Sequence, residues 1–110
     1  MATTTYKILG QSAPAATTET ALYTVPASTE TIISSIVVCN RGTASGTYRI
    51  YVSNNGAATA NSQYLVYDSS AGAKETIALT LGITLDATDV LRVYASTADF
   101  SFNAFGSELA

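Results

Sequence analysis

A chain of 110 residues is the size of one domain, and it carries a net charge of −3 with only 12% charged residues, about half the share usual for soluble proteins. Its five basic residues are scattered, and it has one Cys and no His, so the composition argues against nucleic-acid binding and against zinc or haem sites, and we expect no cofactor. The 18 Ala, 17 Thr and 12 Ser favour a surface that packs against neighbours, the alternative being a neutral-surfaced extracellular or thermally robust domain.

The first quarter of the chain predicts two strands joined by an Ala/Thr-rich link. Residues 6–11 form the first predicted strand, residues 12–18 the link, and residues 21–25 the second strand, which Pro26 ends. We expect one domain over residues 1–110, in which residues 1–18 can form an extended N-terminal arm. Residues 1–11 lack the pattern of a signal peptide, and no apolar run approaches the ~20 residues of a membrane span, so synthesis in the cytoplasm is expected.

The most informative segment is residues 30–52, two apolar, β-branched runs joined by a turn, and residues 29–40 form the first of the two strands that it predicts. Their apolar run is nearly continuous, since it contains Ile32, Ile33, Ile36, Val37 and Val38. This pattern predicts a central strand that is buried on both faces, with Ile36 and Val38 in one core layer. Cys39 continues the run, which favours a small buried hydrophobic residue over a reactive thiol.

The middle of the chain predicts three further strands. Residues 47–53 alternate apolar and polar positions, as in a half-buried antiparallel strand, and residues 54–62 form a loop. In the next strand, residues 63–68, strict alternation places Tyr64 and Val66 on one face and Leu65 and Tyr67 on the other. Residues 69–73 are a predicted turn, and residues 74–81 the strand after it.

The acidic residues form no recognisable catalytic or metal-binding pattern. Asp86 and Asp89 lie three apart beside a turn, where a calcium or acid–base pair is one interpretation and side-chain bonding to the turn backbone is the favoured one. Asp68, Glu75 and Asp99 are isolated. Without a His base, a Cys–His pair, GxSxG or a phosphate loop, the sequence predicts that the protein is not an enzyme and has no catalytic or metal site.

Seven Tyr and no Trp make an unusual aromatic set. Tyrosine suits protein interfaces and sugar-binding surfaces because it joins a large apolar body to a polar tip. The loop residues Asn54, Asn55 and Asn61 give weak support for a lectin, whereas simple filling of half-buried strand positions is the favoured interpretation.

The end of the chain predicts two last strands, residues 90–96 and 100–109. Period-two alternation puts Phe100 and Phe102 on one face, anchored in the core, and Phe105 on the other. About eight short strands, separated by turn clusters and with no helical periodicity, predict an all-β antiparallel sandwich, immunoglobulin-like or jelly-roll-like.

Three segments together carry a resemblance to a known family. They are LYTVPASTETIISSIVVCNRG, ITLDATDVLRVYAS and SFNAFGSEL, which begin at Leu22, Ile83 and Ser101. The chain from Tyr6 to Leu109 resembles a small β-sandwich structural protein of tailed bacteriophages, in which similar strand motifs occur in the same order. The motifs are strand-core patterns, so they are specific only as a set.

The resemblance implies a non-enzymatic virion component made in the host cytoplasm. The preferred role is a head decoration or cement protein that binds the major capsid protein, with neither nucleic acid nor membrane as a partner. A homo-oligomer, with a trimer favoured, would multiply weak contacts to a symmetric lattice. The alternatives are a neck, tail or baseplate accessory protein, and a host-glycan-binding module on the virion surface.

Overall fold

The computed structural model describes residues 2–110 and contains nine β-strands, two short 3-10 turns and no α-helix in that range. The strands are β1 (Thr4–Ser12), β2 (Thr20–Thr24), β3 (Glu30–Asn40), β4 (Gly46–Ser53), β5 (Tyr64–Ala71), β6 (Thr76–Leu79), β7 (Ile83–Leu85), β8 (Val90–Ala95) and β9 (Phe100–Leu109). The all-β antiparallel sandwich predicted from the sequence is confirmed. No helix among residues 2–110 has the length and apolar character needed to cross a bilayer.

Two antiparallel sheets make up the sandwich. Sheet A has the order β1-β9-β3, and β6 and β7 both pair with the other side of β3. Sheet B has the order β2-β8-β4-β5. The chain crosses between the sheets at every connection except β4 to β5 and β6 to β7. Strand β1 pairs with β9, which comes from the other end of the chain. Residues 4–12, part of the segment that can form an arm, thus lie along β9 of the same chain.

The core lies between the facing sides of the two sheets. Sheet A contributes Ile36 and Val38, which are both buried and confirm the predicted core layer. Sheet B contributes Ile50 and Val93 opposite them, because alternate residues of each strand point inward. A cluster of aromatic rings closes one end of this layer.

The aromatic cluster confirms the predicted orientation of the C-terminal phenylalanines. Phe100 and Phe102 are fully buried, and the Tyr48 ring lies 6.1 and 6.3 Å from their ring centroids. Phe105 is half-buried on the opposite, outer face of sheet A. Such ring pairs add about 0.5–1.5 kcal/mol beyond their area burial, so they anchor β9 to β4 of the other sheet.

The predictions for β3 need two corrections. The strand is central in its sheet, but only one of its faces is buried, and Ile32 on the outer face is 54% exposed. Cys39 lies on that outer face too and is half-buried, so its assignment to the core was wrong. The run of apolar residues concealed the alternation because sheet A packs against protein on one side only within this chain.

The largest differences from the predicted strands lie between residues 69 and 85. Strand β5 continues to Ala71 through the predicted turn at residues 69–73. The predicted strand over residues 74–81 is β6, and β7 follows it as a ninth strand. Between them Gly82 adopts a φ of +64°, which lets the chain bend so that both short strands pair with β3.

A buried hydrogen-bond network joins the sheets at the end where β2 meets β3. The Tyr23 hydroxyl of sheet B lies 2.8 Å from the Thr31 Oγ1 atom and donates to the Glu108 carboxylate, both in sheet A. Lys7 pairs with the same carboxylate at 3.2 Å. Burial, together with the hydrogen bond to Glu108, raises the pKa of Tyr23 to about 12. The bond from Tyr23 in turn holds the pKa of Glu108 below its usual value.

We expect Tyr23→Phe to lower the free energy of unfolding by about 1–3 kcal/mol, because it leaves the buried Thr31 hydroxyl and the Glu108 carboxylate without this partner. Urea unfolding at pH 8 measures the loss. Tyr6→Phe is the matched control, since Tyr6 is 85% exposed and its hydroxyl should contribute almost nothing. Equal stabilities of the two variants would contradict the role of the network.

The network also predicts an alkaline dependence. Because folding raises the pKa of Tyr23 above its ordinary value near 10, the stabilisation is fully present below pH 10 and is lost as the pH rises toward 12. The stability difference between wild type and Tyr23→Phe should therefore shrink over that interval. A difference that stays constant from pH 8 to pH 11.5 would contradict the assignment.

Candidate interaction surfaces

The acidic turn at residues 86–89 is structural. Asp89 accepts from the backbone N–H groups of Asp86 and Asn55, at 2.9 and 3.0 Å, and Asp86 accepts from Ala87 at 2.8 Å. This confirms the interpretation in which carboxylates satisfy the turn backbone. Among residues 2–110 no group of three or more His, Cys, Asp or Glu side chains is arranged to hold a metal ion.

Of the three asparagines that gave weak support for a lectin, Asn55 bonds to the acidic turn and not to the aromatic residues of sheet B. Asn54 and Asn55 form a 3-10 turn after β4, and the Asn55 side chain accepts from Thr88 at 2.6 Å. Asn61 begins a second 3-10 turn. Asn55 is thereby tied to the acidic turn and lies beyond the end of β4, while the aromatic residues of sheet B gather around the middle of that strand.

Those aromatic residues surround Arg49 on the outer face of sheet B. The guanidinium carbon lies 4.3 Å from the ring centroids of both Tyr67 and Tyr94, and 5.9 Å from that of Tyr64. Asp68 accepts two hydrogen bonds from Arg49, at 2.7 and 3.2 Å, and these hold the pKa of Asp68 below its usual value. We call these five residues the Tyr–Arg cluster.

A β-bulge in β5 builds the cluster. Tyr48 pairs with Ser69 and Ile50 with Val66, so Tyr67 and Asp68 both lie opposite Arg49. Asp68 has a φ of +50°, in the left-handed region that non-glycine residues rarely adopt. Bulges commonly redirect side chains at functional positions, and the strain here is offset by the paired Arg49–Asp68 bonds.

The same bulge overturns the predicted alternation of residues 63–68. Tyr64 and Tyr67 lie on one face with their ring centroids 4.8 Å apart, rather than on opposite faces. A second register shift, where Ile50 and Tyr51 pair with Val66 and Tyr64, leaves Leu65 as an extra residue. The cluster was therefore not predicted, and the one signal of it in the sequence is the presence of Tyr48 and Tyr51 close to Arg49.

Beyond the cluster, the outer face of sheet B is covered by loops. Tyr51 is 1% exposed although it points outward, because its hydroxyl donates to the Glu19 carboxylate and the Tyr64 ring lies 4.9 Å away. Arg92 donates to the Ala57 carbonyl at 3.0 Å, which holds the loop of residues 54–62 against the strands. Strand β4 is therefore more buried than the half-buried strand that was predicted, and the cluster is the open part of this face.

The outer face of sheet A carries a continuous, nearly uncharged surface. Its register places Tyr6, Ser107 and Ile32 in one row and Ile8 and Phe105 in the next. We call this surface the apolar face, and define it by Tyr6, Ile8, Ile32, Val37, Phe105 and Leu109. Tyr6 on the edge strand β1 and Ile32 on the central strand β3 are 85% and 54% exposed, so this surface leaves large apolar side chains open to solvent.

Charges are almost absent from the apolar face. Of the charged side chains on the strands of sheet A, the register places only Glu30 on it, at one end beside Leu109. Lys7 and Glu108 belong to the opposite side, where they pair with each other. The residues that line a shallow groove on this face include Tyr6, Ile32 and Phe105, together with Lys7. This surface can bury apolar area without removing the water shell of an ion.

Comparison of the chain with protein-family models, with curated proteins and with solved structures finds no match in any of the three.

Proposed function

We propose that the protein is a non-enzymatic structural component of a tailed-phage virion, and that it binds the major capsid protein as a decoration protein of the assembled head. The resemblance of residues 6–109 supplies the class of particle. The observation that supports a packing role is the apolar face: a sheet surface with exposed Tyr6, Ile8 and Ile32, on which the strand register places only one charged residue, Glu30.

The chemistry of that face decides the kind of contact it makes. Apolar burial stabilises a complex by about 25 cal/mol per Å² removed from water, and a face with few charges incurs little desolvation cost. The strands beneath it are fixed by the core, so little conformational entropy is lost on binding. Many identical weak contacts on a symmetric lattice then add through multivalency.

We expect attachment to purified particles to survive molar salt and to weaken in moderate urea. At 1 M salt the Debye length falls to about 3 Å, which screens exposed charge pairs but leaves apolar burial intact, whereas urea weakens that burial. Sedimentation of particles followed by quantification of the bound protein measures both. Release of most copies by salt alone would contradict this, because it would show that charged residues such as Arg41 or Arg92 supply most of the binding energy.

A pair of matched variants locates the contact. Ile32→Lys places a charge in the apolar face, and Leu65→Lys places one at the similarly exposed Leu65 of sheet B. Ile32→Lys should lose most attachment, and Leu65→Lys should keep it, with both variants folded by circular dichroism. Imaging of particles with and without the protein then distinguishes the head from the neck, tail or baseplate.

Glycan binding is the second candidate, and the Tyr–Arg cluster favours it. Tyr67 is 58% exposed beside the Asp68 carboxylate, a combination that sugar-binding surfaces use. The guanidinium of Arg49, however, already covers one face of the Tyr67 and Tyr94 rings, which reduces the area open for stacking. A uniformly blank glycan array would remove this candidate.

A further inference from the structure

The free edge of β1 presents unpaired backbone groups in a regular order. Thr3 and Ala110 exchange both of their N–H···O bonds, at 2.6 and 3.1 Å. Bonded and non-bonded pairs alternate along an antiparallel ladder, so Thr5 and Lys7 bond to β9. The N–H and C=O groups of Thr4, Tyr6 and Ile8 therefore point away from β9, toward the open edge of sheet A.

Each other edge of the two sheets is interrupted or short. Strand β5 contains two bulges, and β2 has five residues with a bulge after Ala21. Strands β6 and β7 have four and three residues. In β1, by contrast, residues 4–8 pair regularly with β9, and the first irregularity falls between Ile8 and Gly10.

The one charged residue among residues 4–8 of β1, Lys7, already has a partner within the chain. Lysine on an edge strand discourages pairing with another chain, but Lys7 pairs with Glu108 of the same chain at 3.2 Å. Tyr6 and Ile8 remain on the apolar face as large exposed side chains. A regular edge whose one lysine is paired within the chain, next to exposed apolar residues, is an arrangement that favours pairing with another strand.

We propose that two copies of this chain pair through β1, antiparallel, about a two-fold axis at Tyr6. In this register Tyr6 lies opposite Tyr6 of the second copy, and Thr4 lies opposite Ile8. The three residues with outward backbone groups thus meet one another and exchange about six hydrogen bonds.

Other symmetric registers are less favourable. An axis at Lys7 would bring two lysines directly opposite each other, which is destabilising. An axis at Thr5 would pair only Thr4 with Tyr6 and would leave the Ile8 groups unbonded. An axis midway between two residues would place the free backbone groups of Thr4, Tyr6 and Ile8 opposite residues whose backbone groups already bond to β9. The axis at Tyr6 alone uses every free group without opposing like charges.

The pairing joins the two copies of sheet A into one continuous sheet. It places the two apolar faces side by side, so that one dimer contacts a surface twice. Dimer formation is measured on the purified protein alone, so its result does not depend on whether the protein attaches to particles.

Light scattering coupled to size exclusion tests the pairing with the full chain. We expect twice the 11.4 kDa chain mass at high protein concentration and a shift toward one chain mass on dilution. Tyr6→Lys should give one chain mass throughout, because it places like charges at the axis and Tyr6 is too exposed to affect folding. Leu65→Lys, at an exposed residue of sheet B, should remain dimeric.

Crosslinking tests the register. In a Cys39→Ser background, Tyr6→Cys should form a disulfide between copies under mild oxidation, because opposed Cα atoms of a bonded pair lie about 5.5 Å apart, within disulfide range. Lys7→Cys should not, since Lys7 lies opposite Thr5. A monomer at every concentration, a mass of three chains, a dimeric Tyr6→Lys variant, or efficient crosslinking of Lys7→Cys would each overturn the proposal.

Discussion

Ile36→Ala should lower the free energy of unfolding by about 2–5 kcal/mol, because the cavity left in a rigid core cannot fully collapse. Ile36 is 1% exposed and lies between the two sheets, with Ala104 of β9 opposite it on one side and Leu79 of β6 on the other. Urea or guanidinium unfolding, followed by circular dichroism, measures the change.

Ile32→Ala is the matched control for Ile36→Ala. It removes the same atoms from the same strand, but on the exposed apolar face, so we expect a loss below about 1 kcal/mol. Comparable losses for the two variants would mean that both faces of β3 are buried in solution. That outcome would indicate that a second molecule covers the apolar face, and the loss of stability in Ile32→Ala would then depend on protein concentration.

Gly106→Ala should destabilise the protein by at least about 2 kcal/mol, because β9 has no room for a side chain at this position. A Cβ atom on Gly106 would lie 2.0 Å from the Ile32 carbonyl oxygen and 3.0 Å from the Ile33 Cα atom, and both are backbone atoms. The strand β3 bulges at Ser34 beside this pair. The substitution must therefore move two paired strands, not a flexible side chain.

Gly72→Ala is the control for Gly106→Ala. Its added Cβ would meet only the end of the Glu75 side chain, at 3.7 Å, and Gly72 does not adopt a positive φ. We expect a change within about 1 kcal/mol, and slight stabilisation is consistent with a less flexible unfolded chain. An equal loss at both positions would show that the close approach of β9 to β3 is not what makes Gly106 necessary.

Local patterns were sufficient wherever a strand alternates without interruption. Phe100, Phe102 and Phe105 were assigned to the correct faces because β9 is regular over these residues, so the period of two holds. The absence of helical periodicity likewise predicted the fold class. The turn at residues 86–89 could be interpreted locally because Asp side chains bond to backbone groups only a few residues away.

The same patterns failed where a strand contains extra residues that have no counterpart in the strand it pairs with. The extra residues at Leu65 and at Tyr67–Asp68 exist only relative to β4, and no spacing within residues 63–68 reveals them. The Tyr–Arg cluster could therefore not be predicted. Cys39 was misplaced for a related reason, because an apolar run cannot show which of its faces the chain leaves uncovered.

The sequence by itself determined the class of this protein: a low-charge, all-β, antiparallel domain whose apolar residues recur at the spacing of strands. Only the tertiary structure decided which residues form surfaces. The pairing of β9 with both β1 and β3, and of β4 with both β8 and the bulged β5, joins residues that are distant in sequence. That pairing places Tyr6 and Ile32 on either side of Ser107, and Arg49 between Tyr67 and Tyr94, because register depends on hydrogen bonds between strands and not on the order of residues within one.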